Sequence, residues 1–262
     1  MALAWVGLAA CGGKPSSDGV CVYNHAYQEN FAPDSVATLL DRAADCYVLI
    51  DPDDPDAAAS IDALHTAGNT VGCYTSVGTC EDWRDDFDQV AASCVDQQWG
   101  EWPGEFFLDV PDAAWRQAMV ARFERFAGLG CDVVELDNMD WAYDDANLQQ
   151  YGISTTAESA EEYLAALCVD AEAVGLGCMA KNTTRGTPTA MGGTFESYPG
   201  EKDWWDSSHL QSLLDAGALG VVVHYGEWDC DAVFEEYIGW YGDRVSFICE
   251  DRETRKYRHY NH

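Results

Sequence analysis

Short apolar runs of strand length recur along this chain between stretches of helical periodicity, and that alternation constrains the fold more than any other feature. The strand-like segments fall at 20–24, 46–51, 70–75, 105–110, 132–137, 177–182, 193–198, 220–225 and 246–250. Between them, Trp115, Met119, Phe123 and Phe126 recur at helical spacing over 112–127, and Leu164, Leu167 and Cys168 do so over 158–173. Asp112 after Pro111, and the box Thr155-Thr156-Ala157-Glu158, mark helix starts. Strand and helix in strict alternation build a parallel sheet. A length of 262 residues suits one α/β domain, a (β/α)8 barrel of the TIM type, which takes about 250. Nine segments for eight places leave one surplus, either an extra strand or a false reading. An open doubly wound sheet is the runner-up, weakened because Val22-Tyr23-Asn24-His25 carries no phosphate-binding glycine.

The chain divides into a leader over 1–11, a tether over 12–19 and a single barrel over 20–262. Leu8-Ala9-Ala10-Cys11 has the pattern at which bacterial lipoprotein precursors are cut and lipidated. The expectation is a lipid anchor at Cys11, with an ordinary cleaved signal as the competing reading. No apolar run reaches the roughly 18 residues of a membrane span. Setting Cys11 aside, the other cysteines are even in number, which predicts disulfides in an exported chain at the cell surface, in the periplasm or secreted. Zinc is not expected, since no CxxC pair occurs. Spacing leaves the connectivity open; Cys73 with Cys80, and Cys131 with Cys168 or Cys178, are the expected pairings.

Charge sets the partners. With 46 acidic against 14 basic side chains the net charge is −32, which excludes nucleic acid by repulsion of its phosphates. The acidic excess is either a solvated surface or a field that draws a cationic substrate inward. Against it, the tail from Arg252 to His262 is locally basic and reads as a strap over acidic loops.

In a barrel of this type the chemistry stands at the C-terminal strand ends. Those ends carry Asp51, Tyr74 with Ser76, Asp109, Glu135 with Asp137 and Asn138, Lys181 with Asn182, Glu196, and His224 with Tyr225. Alternation along 132–137 sends Val134 and Leu136 outward and turns Val133, Glu135 and Asp137 into the barrel. Glu196 points inward two strands later, about 9–10 Å away along the sheet. Leaning side chains can close the carboxyl gap to about 5–5.5 Å, which suits retention, or leave it wider, which suits inversion. A solvated loop carboxylate is the bland alternative for any one of these acids. The acidic run over 51–56 lacks the spacing and glycine of a calcium loop, and no G-x-S-x-G elbow appears. No cofactor and no metal are expected.

Several ordered segments carry a specific resemblance. Gly72-Cys73-Tyr74-Thr75-Ser76-Val77-Gly78 with Glu81-Asp82-Trp83-Arg84, then Trp102-Pro103-Gly104-Glu105, Val134-Glu135-Leu136-Asp137-Asn138-Met139-Asp140, Lys181-Asn182 and Phe195-Glu196 resemble motifs of glycoside hydrolase family 114. That is the endo-α-1,4-polygalactosaminidase family of barrel enzymes. The resemblance implies an endo-acting, retaining hydrolase of galactosaminidic bonds, with Asp137 as nucleophile and Glu196 as acid/base. Around them, Asp51, Asp109, Glu135 and Asp140 are candidates for binding ammonium or hydroxyl groups of an amino sugar. Tyr74, Tyr143 and Tyr198 offer ring faces, and Asn138, Lys181 and Asn182 complete the candidate substrate contacts. The partner implied is a cationic amino-sugar polymer, met by a monomeric enzyme. The first strand, with Val22-Tyr23-Asn24-His25-Ala26-Tyr27-Gln28, and Ser197-Tyr198-Pro199 after Glu196 depart from the family pattern. Two alternatives follow: the same mechanism on another glycan, or a non-catalytic carbohydrate-binding barrel.

Overall fold

The computed structural model describes residues 19–24, 26, 39–40, 43–182, 191–198, 200, 205, 207–254 and 257–259. The leader with Cys11, the tether before Gly19, and His25, Tyr27, Gln28 and Pro199 lie outside the described residues. In chain order the strands are β1 (Val22–Asn24), β2 (Tyr47–Ile50), β3 (Thr70–Ser76), β4 (Thr79–Glu81), β5 (Cys94–Gln98), β6 (Glu105–Leu108), β7 (Val133–Asp137), β8 (Gly177–Lys181), β9 (Gly192–Ser197), β10 (Leu219–Trp228), β11 (Ser246–Asp251) and β12 (Tyr257–His259). The helices are α1 (Ala57–Thr66), α2 (Phe87–Val90), α3 (Ala113–Leu129), α4 (Asp145–Tyr151), α5 (Ala157–Ala173), α6 (Ser207–Asp215) and α7 (Cys230–Tyr241).

Eight strands pair in parallel in the order β1-β2-β3-β7-β8-β9-β10-β11, and β12 adds antiparallel to β11. The sheet curls until its ends nearly close. Val20 N donates to Ser246 Oγ at 2.9 Å, Gly19 N to Asp243 O at 2.7 Å, and the Tyr23 and His259 rings lie 4.3 Å apart. Within the described part of the basic tail, Arg258 pairs with Asp231 at 2.5 Å and with Asp251 at 3.1 Å.

The surplus segment is 105–110. It is not a barrel strand; β6 lies between β4 and β5 in a separate antiparallel sheet of three. The physical reason is register: β3 pairs directly with β7, Gly72 beside Val133 and Ser76 beside Asp137, so no strand fits between them. The intervening chain leaves the top of β3, folds the side sheet and returns through α3.

Alternation sorts the side chains into two layers. Tyr47, Leu49, Tyr74, Val133, Met179 and Val223 pack inside the barrel, while Val134 and Leu136 pack outward with Phe123, Phe126, Leu164 and Leu167 of α3 and α5. Gly72 is required here, because a Cβ would fall 2.1 Å from the Tyr47 hydroxyl that crosses the barrel. Helix ends follow local rules: Asp112 accepts from Trp115 N, Thr156 closes a capping box with Ser159, and Gly130 ends α3 at φ 100°.

All the cysteines from Cys21 onward are paired: Cys21–Cys46, Cys73–Cys131, Cys80–Cys94, Cys168–Cys178 and Cys230–Cys249. Cys73 therefore does not join Cys80, and Cys131 joins neither Cys168 nor Cys178. Cys73 points outward on β3, beside the approach to β7 where Cys131 lies; Cys80 faces its own side sheet at Cys94, and Cys168 of α5 packs on Cys178 of β8. Five disulfides place folding in an oxidising compartment, so the chain is exported. Among the described residues no helix is long and apolar enough to cross a membrane.

Candidate active site

The C-terminal ends of β7, β8 and β9 converge on one buried ammonium. Lys181 Nζ lies 2.8 Å from Asp137 Oδ2 and 2.9 Å from Glu196 Oε1, and all three side chains are buried. The two carboxylate oxygens that share it are thus no farther apart than those contacts laid end to end, under about 6 Å. Burial works against the Lys181 charge, but Asp137 and Glu196 outweigh it and hold the ammonium well above its ordinary pKa.

Two asparagines shape the strand ends. Asn138 and Asn182 take φ of 61° and 53°, a left-handed conformation that asparagine tolerates better than most residues. Asn182 grips Glu196 twice: its Oδ1 accepts from Glu196 N and its Nδ2 donates to Glu196 Oε2, both at 2.8 Å. The Tyr225 hydroxyl donates to Glu196 Oε1. Asn138 N donates to Asp137 Oδ1 at 2.7 Å, and its amide reaches Ser76 Oγ at 3.1 Å. Tyr198 stacks on Tyr225 with centroids 4.9 Å apart and leaves its outer face open to solvent.

More acids surround this trio. Glu135, one layer deeper, accepts from Thr194 Oγ1, and burial pushes it up to about 7. Asp140, half-buried beyond Asn138, is raised to about 7 by burial and by the charges of Asp137 and Glu196. Glu105 is raised to about 8 by burial and by Glu81 and Asp137. Burial and the charge of Asp137 also push the Tyr74 phenol up.

Among the sequence candidates, Asp137, Asn138, Lys181, Asn182, Glu196, Glu135, Asp140, Tyr74 and Tyr198 gather here. Asp51 and Asp109 do not. Asp51 binds Arg84 at 2.8 Å, and Asp109 Oδ1 accepts from Ser154 N at 2.7 Å, tying down a loop. Tyr143 is half-buried in the short turn after Asp140. Sequence reasoning gave Tyr225 no role beyond its strand-end place and passed over Glu105. Inward parity with Val223 was the signal for Tyr225; for Glu105, at the start of a non-barrel strand, the signal was its place in the Trp102-Pro103-Gly104-Glu105 motif.

A parallel barrel with its buried acids gathered at the C-terminal strand ends is the arrangement of a barrel enzyme. The chain belongs to glycoside-hydrolase family GH114, whose model matches residues 24–198, and it is a glycoside hydrolase. Among solved structures it is similar to Aspergillus fumigatus Ega3 in complex with galactosamine, at 20% identity and a TM-score of 0.71 over 93% of this chain and 95% of that one. It is also similar to the glycoside hydrolase domain of PelA from Pseudomonas aeruginosa, at 17% identity and a TM-score of 0.62 over 93% and 98%. At those identities the likeness is one of fold. No curated protein matches the chain.

Proposed function

We propose that the protein is an endo-acting, retaining hydrolase of α-1,4-galactosaminidic bonds in an amino-sugar polysaccharide. The observation that carries this reading is the single ammonium of Lys181 shared by Asp137 and Glu196. It brings two carboxyl groups together at the C-terminal strand ends, which supports a double-displacement pair. Asp137 attacks the anomeric carbon as the glycosidic bond breaks, and Glu196, which must enter this step as the carboxylic acid, gives its proton to the leaving oxygen; the carboxylate so formed takes a proton from the water that releases the sugar, which restores the acid. Asn182 and Tyr225 hold Glu196 in place for both steps. Tyr198 offers an open ring face beside it. The acid-rich surroundings and the net charge of −32 favour a cationic sugar, and the galactosamine bound by Ega3 points the same way. The endo mode rests on the family motifs.

The test is digestion of deacetylated and fully acetylated galactosaminogalactan, with oligosaccharides read by mass spectrometry and the new reducing end by early-time NMR. The expected result is internal cleavage of the deacetylated polymer with the α-anomer formed first. Initial release of the β-anomer would overturn retention, and cleavage confined to neutral glycans would overturn the substrate.

A further inference from the structure

Two tryptophans stand out on the surface of the side sheet. Trp83 and Trp102 are each 52% exposed, although indole is a side chain that proteins ordinarily bury in large part. They lie at the same end of the β4–β6 ladder. Glu81 pairs with Glu105 in register, Asp82 N donates to Gly104 O at 2.9 Å, and the Trp83 ring lies so close over Gly104 that a Cβ there would fall 2.9 Å from it. Trp102 is two residues before Gly104. Single exposed apolar residues need no explanation. A pair of indoles on one strand end, flanked by the exposed acids Asp82 and Glu101, does.

This end is tied to the site through buried side chains. Thr79 Oγ1 donates to Glu105 Oε1 at 3.2 Å and lies 2.5 Å from Ser76 Oγ, which accepts from the Asn138 amide beside Asp137. The chain thus passes within two or three residues from the acid cluster to the exposed rings. We infer that Trp83 and Trp102, with Asp82 and Glu101, form an accessory subsite for further cationic sugar residues of the polymer being cut. An indole face attracts an ammonium by its quadrupole and offers a flat apolar surface to a sugar ring, and the flanking carboxylates add charge complementarity. The inference rests on the amino-sugar reading above and extends it outward from the cleavage point.

The test compares Trp83→Ala/Trp102→Ala with the unmodified enzyme on deacetylated galactosaminogalactan and on a short chromogenic galactosaminide that reaches only the cleavage point. KM for the polymer is expected to rise about five- to tenfold, from two weak ring contacts, with kcat on the short substrate unchanged. Trp83→Phe/Trp102→Phe keeps the ring faces and should restore part of the loss. Asp82→Asn/Glu101→Gln should weaken the deacetylated polymer more than a partly acetylated one. An unchanged polymer KM in the Ala variant would overturn the subsite. So would a wild-type dimer that this variant dissociates without altering KM, since the rings would then serve a second copy. If the unmodified enzyme cuts no amino-sugar polymer, it is the underlying substrate reading that fails.

Discussion

Two of the buried cations among the described residues, Arg84 and Lys181, each hold more than one acid, and their contrast separates a structural knot from a reactive one. Arg84 meets Asp51 at 2.8 Å, Asp53 at 2.6 Å and Glu81 at 3.0 Å, with its second terminal nitrogen 3.2 Å from the other Glu81 oxygen. A planar fork of fixed donors is thereby filled, and it ties the end of β2 to the side sheet. Lys181 holds two acids with one point charge on a flexible stem. Around Arg84, Asp51, Asp53 and Glu81 each accept from the guanidinium, although burial still pushes Glu81 up; around Lys181, Glu135, Glu105 and Asp140 crowd in beside Asp137 and Glu196 and are raised to about 7, 8 and 7. A buried cation among carboxylates is therefore no mark of an active site. Acids left competing for one cation are.

Truncation of each knot should break the molecule differently. Arg84→Met strands Glu81 in the interior and should cost about 3–5 kcal/mol of folding stability, read by urea unfolding, while kcat of the folded enzyme stays within about twofold. Asp137→Asn or Glu196→Gln should instead raise the barrier by about 3–4 kcal/mol, two to three decades in kcat, with the thermal midpoint nearly unmoved. Because the pair acts as a unit, the double variant should be little worse than either single one. If Asp137→Asn kept more than a tenth of wild-type turnover, or Arg84→Met abolished turnover at full stability, the contrast would collapse.

Much of this was legible in the sequence, and the reasons are physical. Period-two alternation in 132–137 fixed the inward side of β7, so Glu135 and Asp137 could be placed before any coordinates. The same alternation could not show that 105–110 leaves the barrel, because a four-residue apolar strand looks alike in either sheet. Asp51 read as a strand-end acid, which it is; that Arg84, 33 residues later, folds back to fill it is a contact no local pattern encodes. Disulfide partners were illegible for the same cause: Cys73 and Cys131 are 58 residues apart and meet through sheet order.

The crowded acids should also show in the pH dependence of stability. Glu105, Glu135 and Asp140 have folded values raised to about 8, 7 and 7, above unfolded values of about 4. Between those limits the folded state binds more protons than the unfolded one, so the derivative of stability with pH is negative. Their contribution is fully present below about pH 4 and is lost as pH rises through 7 to 8. Urea midpoints should therefore fall from pH 5 to pH 8, and Glu105→Gln should flatten the slope. A midpoint that climbed across that range would refute the crowded-acid account of the Lys181 site.

The smallest expected effect is that of salt, and it tests whether the crowding extends to the substrate. The contacts of Arg84 and Lys181 are buried, so added ions screen them little; exposed acids such as Asp82 and Glu101 are open to screening. Raising ionic strength shortens the Debye length from about 30 Å at 0.01 M to about 8 Å at 0.15 M. A cationic polymer drawn in by a net charge of −32 should then bind more weakly, with KM rising about two- to fivefold. The kcat should stay flat, because the groups that set it lie out of reach of the ions. Initial rates at limiting and saturating polymer over that range separate the two quantities. A flat KM would mean that the acidic exterior serves solvation alone and that a neutral glycan fits the site better. A falling kcat would mean that the Lys181 cluster is open to solvent during turnover, and its likeness to Arg84 would end there.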